Sequence, residues 1–400
     1  MQFRTYRSTK LTAALLAISG SAAATEMPSQ EEMWEIIQQQ QREIEALKAG
    51  QKENTEKVEA VVDVAEESQK TASGAASWTE NTQIGGYGEL HYNNLDSKKE
   101  IDFHRFVLFF GHQFTDRLRF WSELELEHSV SGDDQNGEIE LEQAYLEYDL
   151  NENHHAKAGL FLLPVGILNE THEPPTFYGV ERNPVERNII PTTWWAGGAA
   201  LNGEIAPGWS YDLGVHEGLE TSASNNYAVR KGRQKTSEAN ANDLAGTARV
   251  KWTGVAGVEL AATAQYQSDV TQGEDPDASH AWLFETHADI QRGAFGFRAL
   301  YARWDLDGDG PKSVGADEQE GFYIEPSYKI TPEWGVFARY NYWDNQAGDG
   351  NSDSEKKQVN AGVNFWPHPD VVLKADVQQQ DNEGNSKNDN GWNLGVGYQF

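Results

Sequence analysis

Cysteine is absent from the 400 residues, which excludes a disulfide framework, a thiolate zinc centre and a thiol nucleophile. Basic residues are scarce: 32 Lys and Arg stand against 63 Asp and Glu, a formal net charge of −31. A field of that sign repels phosphate backbones, so no nucleic-acid partner is expected. Long apolar runs are also missing. No segment approaches the roughly eighteen consecutive apolar residues that a membrane-crossing helix requires. Yet 38% hydrophobic residues, with 13 Trp, 15 Tyr and 16 Phe, are too much apolar and aromatic material for a disordered chain.

Arg4, Arg7 and Lys10 precede an apolar stretch from Leu11 to Ile18, followed by small residues up to Ala24. These consecutive basic, apolar and small blocks predict a secretory signal peptide over residues 1–24, cut after Ala24. Residues 25–77 then follow a heptad period. Ile37, Ile44, Gln51, Val58 and Ala65 occupy one seam position, and Gln40, Leu47, Asn54 and Val61 the other. A stripe this polar cannot be buried by one helix, so the segment is expected to be an α-helical coiled coil and linker that drives oligomerisation. A solvated spacer ending in Thr71 to Ser77 is the alternative.

From Trp78 the period changes to two. Trp392, Leu394, Val396, Tyr398 and Phe400 fall on one face, and Asn393, Gly395, Gly397 and Gln399 on the other. Val371, Leu373, Ala375 and Val377 alternate in the same way with Val372, Lys374, Asp376 and Gln378. The segments run to about ten residues, longer than the strands of a soluble sandwich. Connections alternate in length. Short turns at 115–116, 151–153, 206–208, 253–256, 292–293, 331–333 and 367–369 lie between long polar loops. The loops fall near 93–100, 129–137, 164–193, 220–240, 269–279, 305–319, 345–354 and 381–389.

An antiparallel meander places alternate connections at the same end, so one end is trimmed and the other elaborated. That asymmetry, with about sixteen strands, predicts an all-β fold: an antiparallel transmembrane β-barrel over residues 78–400 with an aqueous lumen. Trp209, Tyr211, Trp334, Tyr340, Tyr342, Trp366, Trp392 and Tyr398 are expected in its interfacial girdles.

The segments Lys157-Ala-Gly-Leu-Phe-Leu-Leu-Pro-Val-Gly, His172-Glu-Pro-Pro-Thr-Phe-Tyr-Gly-Val-Glu-Arg and Ile189-Ile-Pro-Thr-Thr-Trp-Trp resemble the phosphate-selective porins O and P. Within that family the likeness is to the subgroup with a coiled coil ahead of a trimeric barrel. The resemblance implies a passive channel in a Gram-negative outer membrane, with the coiled coil in the periplasm and the terminal Phe400 read by the insertion machinery. It also implies a homotrimer in contact with outer-membrane lipid, and a third long loop that narrows the pore.

The loop from Pro164 to Thr193 is too long for a turn, carries Pro174-Pro175 and shows little alternation, so it is expected to fold into the lumen. Its candidate constriction residues are Glu170, His172, Glu173, Glu181, Arg182, Glu186 and Arg187. Alternation brings the basic residues Arg119, Arg249, Lys251, Arg298 and Arg339 to the pore wall. Arg182 and Arg187 with Arg298 and Arg339 would line an anion path. The alternative for each is an ion pair with Glu123, Glu125, Glu147, Glu285 or Glu325. No lysine occurs between Lys157 and Lys231, a departure from the clustered basic residues on which the family's phosphate selectivity relies, so specificity for phosphate is not expected to follow from the resemblance. Small anionic solutes, such as phosphate or organic acids, are the expected cargo, with a weakly selective general channel as the second reading.

Enzyme, cofactor and metal readings are weaker. Asp305-x-Asp307-x-Asp309-Gly310 opens like a calcium loop, but its twelfth position is Ala316 and not the closing glutamate. His154-His155 has no third ligand in view, and Gly85-Gly86-Tyr87-Gly88 lies in a strand with no helix after it. Alternation brings no Ser/His/acid set together, so no catalysis and no cofactor are expected. A barrel-embedded enzyme and a soluble β-rich binding module are the remaining alternatives.

Overall fold

The computed structural model describes residues 75–129, 137–350, 354–384 and 387–400. The expected leader and the heptad seam positions lie outside the described residues. A short helix, Ala75–Glu80, leads into β1 (Thr82–Leu95), β2 (Lys99–Thr115), β3 (Leu118–Glu127) and β4 (Ile139–Asp149). Next come β5 (His154–Leu162), β6 (Trp195–Ala206), β7 (Trp209–Glu217), β8 (Leu244–Val255), β9 (Val258–Gln267) and β10 (Ala281–Arg292). The last six are β11 (Phe295–Leu306), β12 (Glu318–Lys329), β13 (Trp334–Asp344), β14 (Lys356–His368), β15 (Val371–Asn382) and β16 (Gly391–Gln399).

Each strand pairs antiparallel with its neighbours in sequence, and β16 pairs with β1, which closes the barrel. At the seam the Gly86 N–H donates to the Phe400 carbonyl oxygen at 3.0 Å and the Phe400 N–H returns to Gly86 at 2.8 Å. A side chain at residue 86 would set its Cβ 2.2 Å from the Val107 carbonyl oxygen, so the close approach requires glycine. Closure leaves no edge strand, and the ladders pair neighbouring strands around the whole barrel apart from local register shifts, as between Glu89 and His91.

The period-two rows face as the alternation predicts. Leu373, Val377, Trp392, Leu394 and Val396 are exposed on the outside, while Lys374, Asp376, Gln378 and Asn393 are buried inside. An apolar exterior over a polar interior is what a hydrocarbon environment selects. The short turns gather at one end and the long connections at the other, with one exception. The loop expected near 93–100 is mostly strand: Asn93 pairs with Glu100 and Asn94 with Lys99, leaving Asp96, Ser97 and Lys98 as the connection. Polar composition had marked it as loop, but a strand running beyond the lipid has no need of apolar residues.

Two further departures share a cause. Leu283, Leu300, Trp304, Tyr323 and Trp343 point inward although apolar or aromatic, because they face folded chain and not water. Trp366, expected in a girdle, lies inside the lumen against Tyr178 and Phe337, since Phe365 takes the outward register beside it. Its indole N–H donates to the Pro175 carbonyl oxygen at 3.2 Å.

Candidate functional site

The connection between β5 and β6, residues 163–194, folds into the barrel. Its apolar residues Leu163, Val165, Ile167, Leu168, Val185, Ile189 and Ile190 are all buried, and they pack on the apolar patch of the wall. Burying each such side chain contributes about 1.5–3 kcal/mol, which offsets part of the conformational entropy lost in ordering a long loop. Trp304 Nε1–H donates to the Ile189 carbonyl oxygen at 2.9 Å. Glu186 is fully buried and organises the loop from within. Its Oε1 accepts the Ile167 and Leu168 N–H groups at 2.6 Å, and its Oε2 accepts Asn183 Nδ2 at 2.8 Å and Tyr323 Oη at 3.0 Å.

Farther along, the loop crosses to the opposite wall. Asp376 accepts the Val180 N–H at 2.7 Å, and Arg339 Nη1 donates to the Tyr178 carbonyl oxygen at 3.3 Å. Glu181 reaches Asn93 Nδ2 at 2.9 Å and His91 Nδ1 at 3.3 Å. Burial alone would raise the Glu181 pKa, but the His91 imidazole, with help from His104 and Lys98, holds it well below the usual carboxylate range.

The next long connection, residues 218–243, also turns inward. Leu219, Tyr227 and Val229 join the same apolar core, which brings Arg230 and Arg233 down onto the first loop. Arg230 Nη1 donates to the carbonyl oxygens of Arg187 and Thr192, both at 2.8 Å, and Arg233 Nη1 donates to that of Thr193. Arg182 Nη1 donates to Thr193 Oγ1 at 2.8 Å.

Arg182, Arg187, Arg230 and Arg233 therefore surround one strip of backbone and border one cavity of about 310 Å³. Among the described residues none of the four forms an ion pair, and Arg182 Nε, Arg182 Nη2 and Arg233 Nε have no hydrogen-bond partner. Burial, then repulsion from Arg233, Arg187 and Arg182, pushes the Arg230 pKa down. Glu127, Glu138, Glu140 and Glu142 border the same cavity, so it carries both signs of charge. Lys235 pairs with Glu138 at 2.7 Å and with Glu140.

A second cavity, of about 590 Å³, opens toward the short-turn end. It is lined by Ile167, Glu170, Arg249, Lys251, Glu259 and Arg298 among others, and its cations are paired. Arg249 holds Asp212 at 2.8 Å and Glu170, Arg298 holds Asp289 at 2.9 Å, and Lys251 lies 3.5 Å from Glu259.

The sequence profile of the phosphate-selective porin O and P family matches residues 83–400, the whole barrel. The chain belongs to that family. A relative in Aquifex aeolicus (strain VF5), an uncharacterized protein, is 33% identical over 347 residues, 76% of this chain and 77% of that protein. Solved structures share the fold. The outer-membrane channel DcaP of Acinetobacter baumannii superposes with a TM-score of 0.56 at 17% identity, covering 80% of this chain and 97% of that one. Salmonella typhi OmpF, in complex with daunomycin, gives 0.56 at 13% identity over 80% and 98%. The trimer form of Vibrio cholerae OmpT gives 0.54 at 12% over 80% and 99%. This porin is an outer-membrane diffusion channel; barrels of that class keep short turns on the periplasmic side and long connections outside.

Within the porin the expected residues separate by role. Arg182 and Arg187 border the extracellular cavity, but their companions are Arg230 and Arg233 and not Arg298 and Arg339. Arg339 is buried against Glu325 at 3.0 Å, and Arg119 pairs with Glu147 and Asp149, both at 2.6 Å. Glu170 and Glu186 anchor the third loop, Glu181 latches it to His91, and Glu173 precedes its Pro174–Thr176 turn. His172 packs on the wall beside Glu123 and Glu142.

The carboxylates of the calcium-like motif do not converge. Asp305 pairs with Arg303 at 2.7 Å, Asp307 with Lys312 at 3.3 Å, and Asp309 opens a helical turn, Asp309–Ser313. His155 contacts Asp149 and His154 contacts Tyr211. Sequence reasoning missed Arg230 and Arg233, whose signal was the apolar Leu219, Tyr227 and Val229 in an otherwise polar loop. It also missed Arg105, which a β-bulge opposite Glu89 and His91 turns into the lumen next to His104.

Proposed function

We propose that the porin passes small hydrophilic anions, phosphate or organic acids among them, as a homotrimer without catalytic activity. One observation carries the sign of the charge: Arg182, Arg187, Arg230 and Arg233 share a cavity wall with no carboxylate paired to any of them among the described residues. Fixed charges in a narrow lumen act at a lower effective dielectric than in bulk water, so unneutralised guanidiniums there favour an anion. Their planar donors suit carboxylate and phosphate oxygens, which makes the missing lysines no obstacle. Charges in the outer connections are screened within about 8 Å, so the acidic composition opposes this chiefly through Glu127, Glu138, Glu140 and Glu142 on the cavity itself, of which Glu138 and Glu140 are paired with Lys235. The family description and the trimer form of the structurally similar OmpT support the cargo class and the assembly.

A weakly selective channel is the second reading. It is favoured by the pairing of Arg119, Arg249, Lys251, Arg298 and Arg339, which leaves the deeper wall nearly neutral. Reversal potentials of the purified porin in planar bilayers under a salt gradient distinguish the two. Anion preference that disappears in an Arg182→Gln/Arg230→Gln variant supports the first, and cation preference in the unaltered porin defeats it.

A further inference from the structure

Below the arginine wall three side chains from separate elements converge: Glu123 of β3, Glu142 of β4 and His172 of the third loop. They are 1%, 1% and 3% exposed. His172 Nε2 lies 3.4 Å from Glu123 Oε1 and 3.6 Å from Glu142 Oε2, and none of these three atoms has a hydrogen-bond partner among the described residues. Buried polar atoms are rarely left so.

Each flank is held from behind. Gln143 Nε2 donates to Glu123 Oε2 at 2.7 Å, and His172 Nδ1–H donates to the Asn169 carbonyl oxygen at 3.2 Å. With its proton on Nδ1, a neutral His172 turns the lone pair of Nε2 toward two carboxylate oxygens. That arrangement repels unless positive charge sits between them. Of the nearby guanidiniums, Arg105 is ion-paired with Glu89 at 2.9 Å and Glu125 at 3.2 Å, and Arg182 donates to Thr193 and forms no ion pair with Glu123 or Glu142 among the described residues.

A proton shared among the three atoms would draw one pair into a hydrogen bond, and neither separation is one. They fit the edges of a metal tetrahedron instead: ligand bonds of 2.0–2.2 Å put neighbouring ligand atoms about 3.3–3.6 Å apart. We propose that Glu123, Glu142 and His172 bind a zinc-class divalent cation that fastens the third loop to the barrel wall. One imidazole with two carboxylates suits zinc better than calcium or magnesium, which take oxygen ligands. The backbone carbonyl behind the imidazole and the amide behind Glu123 are the supports that orient metal ligands. Glu142 also borders the extracellular cavity, which gives the ion a way in.

The test uses full-length porin stripped with chelator, refolded in detergent with zinc and freed of excess metal. Folded barrel is scored by heat-modifiable mobility. Expected are one retained zinc per protomer, ligand distances near 2.0 Å with a single imidazole by X-ray absorption, and zinc binding weakened at least about tenfold in Glu142→Gln and His172→Gln. The control is Asp102→Asn, because Asp102, His104 and His128 also converge near the pore mouth. That variant should keep its zinc. No retained zinc in the unaltered porin, two imidazoles at the metal, or loss in Asp102→Asn with retention in His172→Gln overturns the proposal. Should the site variants fail to fold, the imidazole count in the unaltered porin decides.

Discussion

Arg230 Nη1 donates to the Arg187 carbonyl oxygen at 2.8 Å, so one arginine of the extracellular cluster is positioned by the backbone of another. The two come from different connections, and their charges meet only because both connections fold inward. A cluster held this way is rigid before any ion arrives, and no reorganisation is needed when one enters.

Removing these charges should therefore change ion preference more than removing the paired ones. Arg230→Gln is expected to move the zero-current potential under a salt gradient toward cations. Arg298→Gln, whose partner Asp289 already neutralises it, should move it much less. Equal shifts in planar-bilayer recordings would contradict the division of roles.

Arg339 and Glu325 are 3% and 4% exposed and lie 3.0 Å apart. Breaking such a pair from one side leaves an uncompensated buried charge, so Arg339→Met should cost about 3–5 kcal/mol in urea unfolding. The double variant with Glu325→Leu should recover most of that loss. Arg339 also bonds the Tyr178 carbonyl oxygen, so the single variant should show noisier open-channel current as the loop loosens.

The Glu181 latch gives a pH dependence with a definite sign. Its folded carboxyl lies below its ordinary value near 4.5, so the stability it adds is fully present above that value. That stability is lost as pH falls through the folded value. Loop-dependent gating in bilayers should stay constant from neutral pH to about 5 and increase under stronger acid. Glu181→Gln should show the acid behaviour throughout.

Trp304 anchors the third loop through both its ring and its N–H bond to Ile189. Trp304→Ala should destabilise the folded barrel by about 3–5 kcal/mol. It should also raise single-channel conductance as Ile189 and Ile190 lose their platform. Trp304→Phe, which keeps an aromatic ring but loses the N–H, should recover part of the stability.

Strand faces were legible in the sequence because hydrocarbon enforces them. Trp392, Leu394 and Val396 have no satisfactory place but outside, and a one-residue slip would turn Lys374 and Asp376 into lipid. Inside the barrel the rule is weaker, since an inward position can meet water or folded chain. Leu283, Leu300 and Trp304 meet chain, and local alternation alone does not say which. The β1–β2 hairpin escaped for a related reason: Asn93 and Glu100 pair above the lipid, where composition no longer reports strand.

The order of residues by itself determined a closed barrel of about sixteen strands, its trimmed and elaborated ends, and a third long connection too long and too irregular to be a simple turn. Local pattern suffices for these because each follows from partitioning between lipid, water and ladder. Which charges stand together was decided by tertiary structure alone. Arg182 and Arg187 lie far along the chain from Arg230 and Arg233, and Glu123 and Glu142 from His172. Only packing two connections into one lumen brings them within reach, and no period in the sequence encodes that packing.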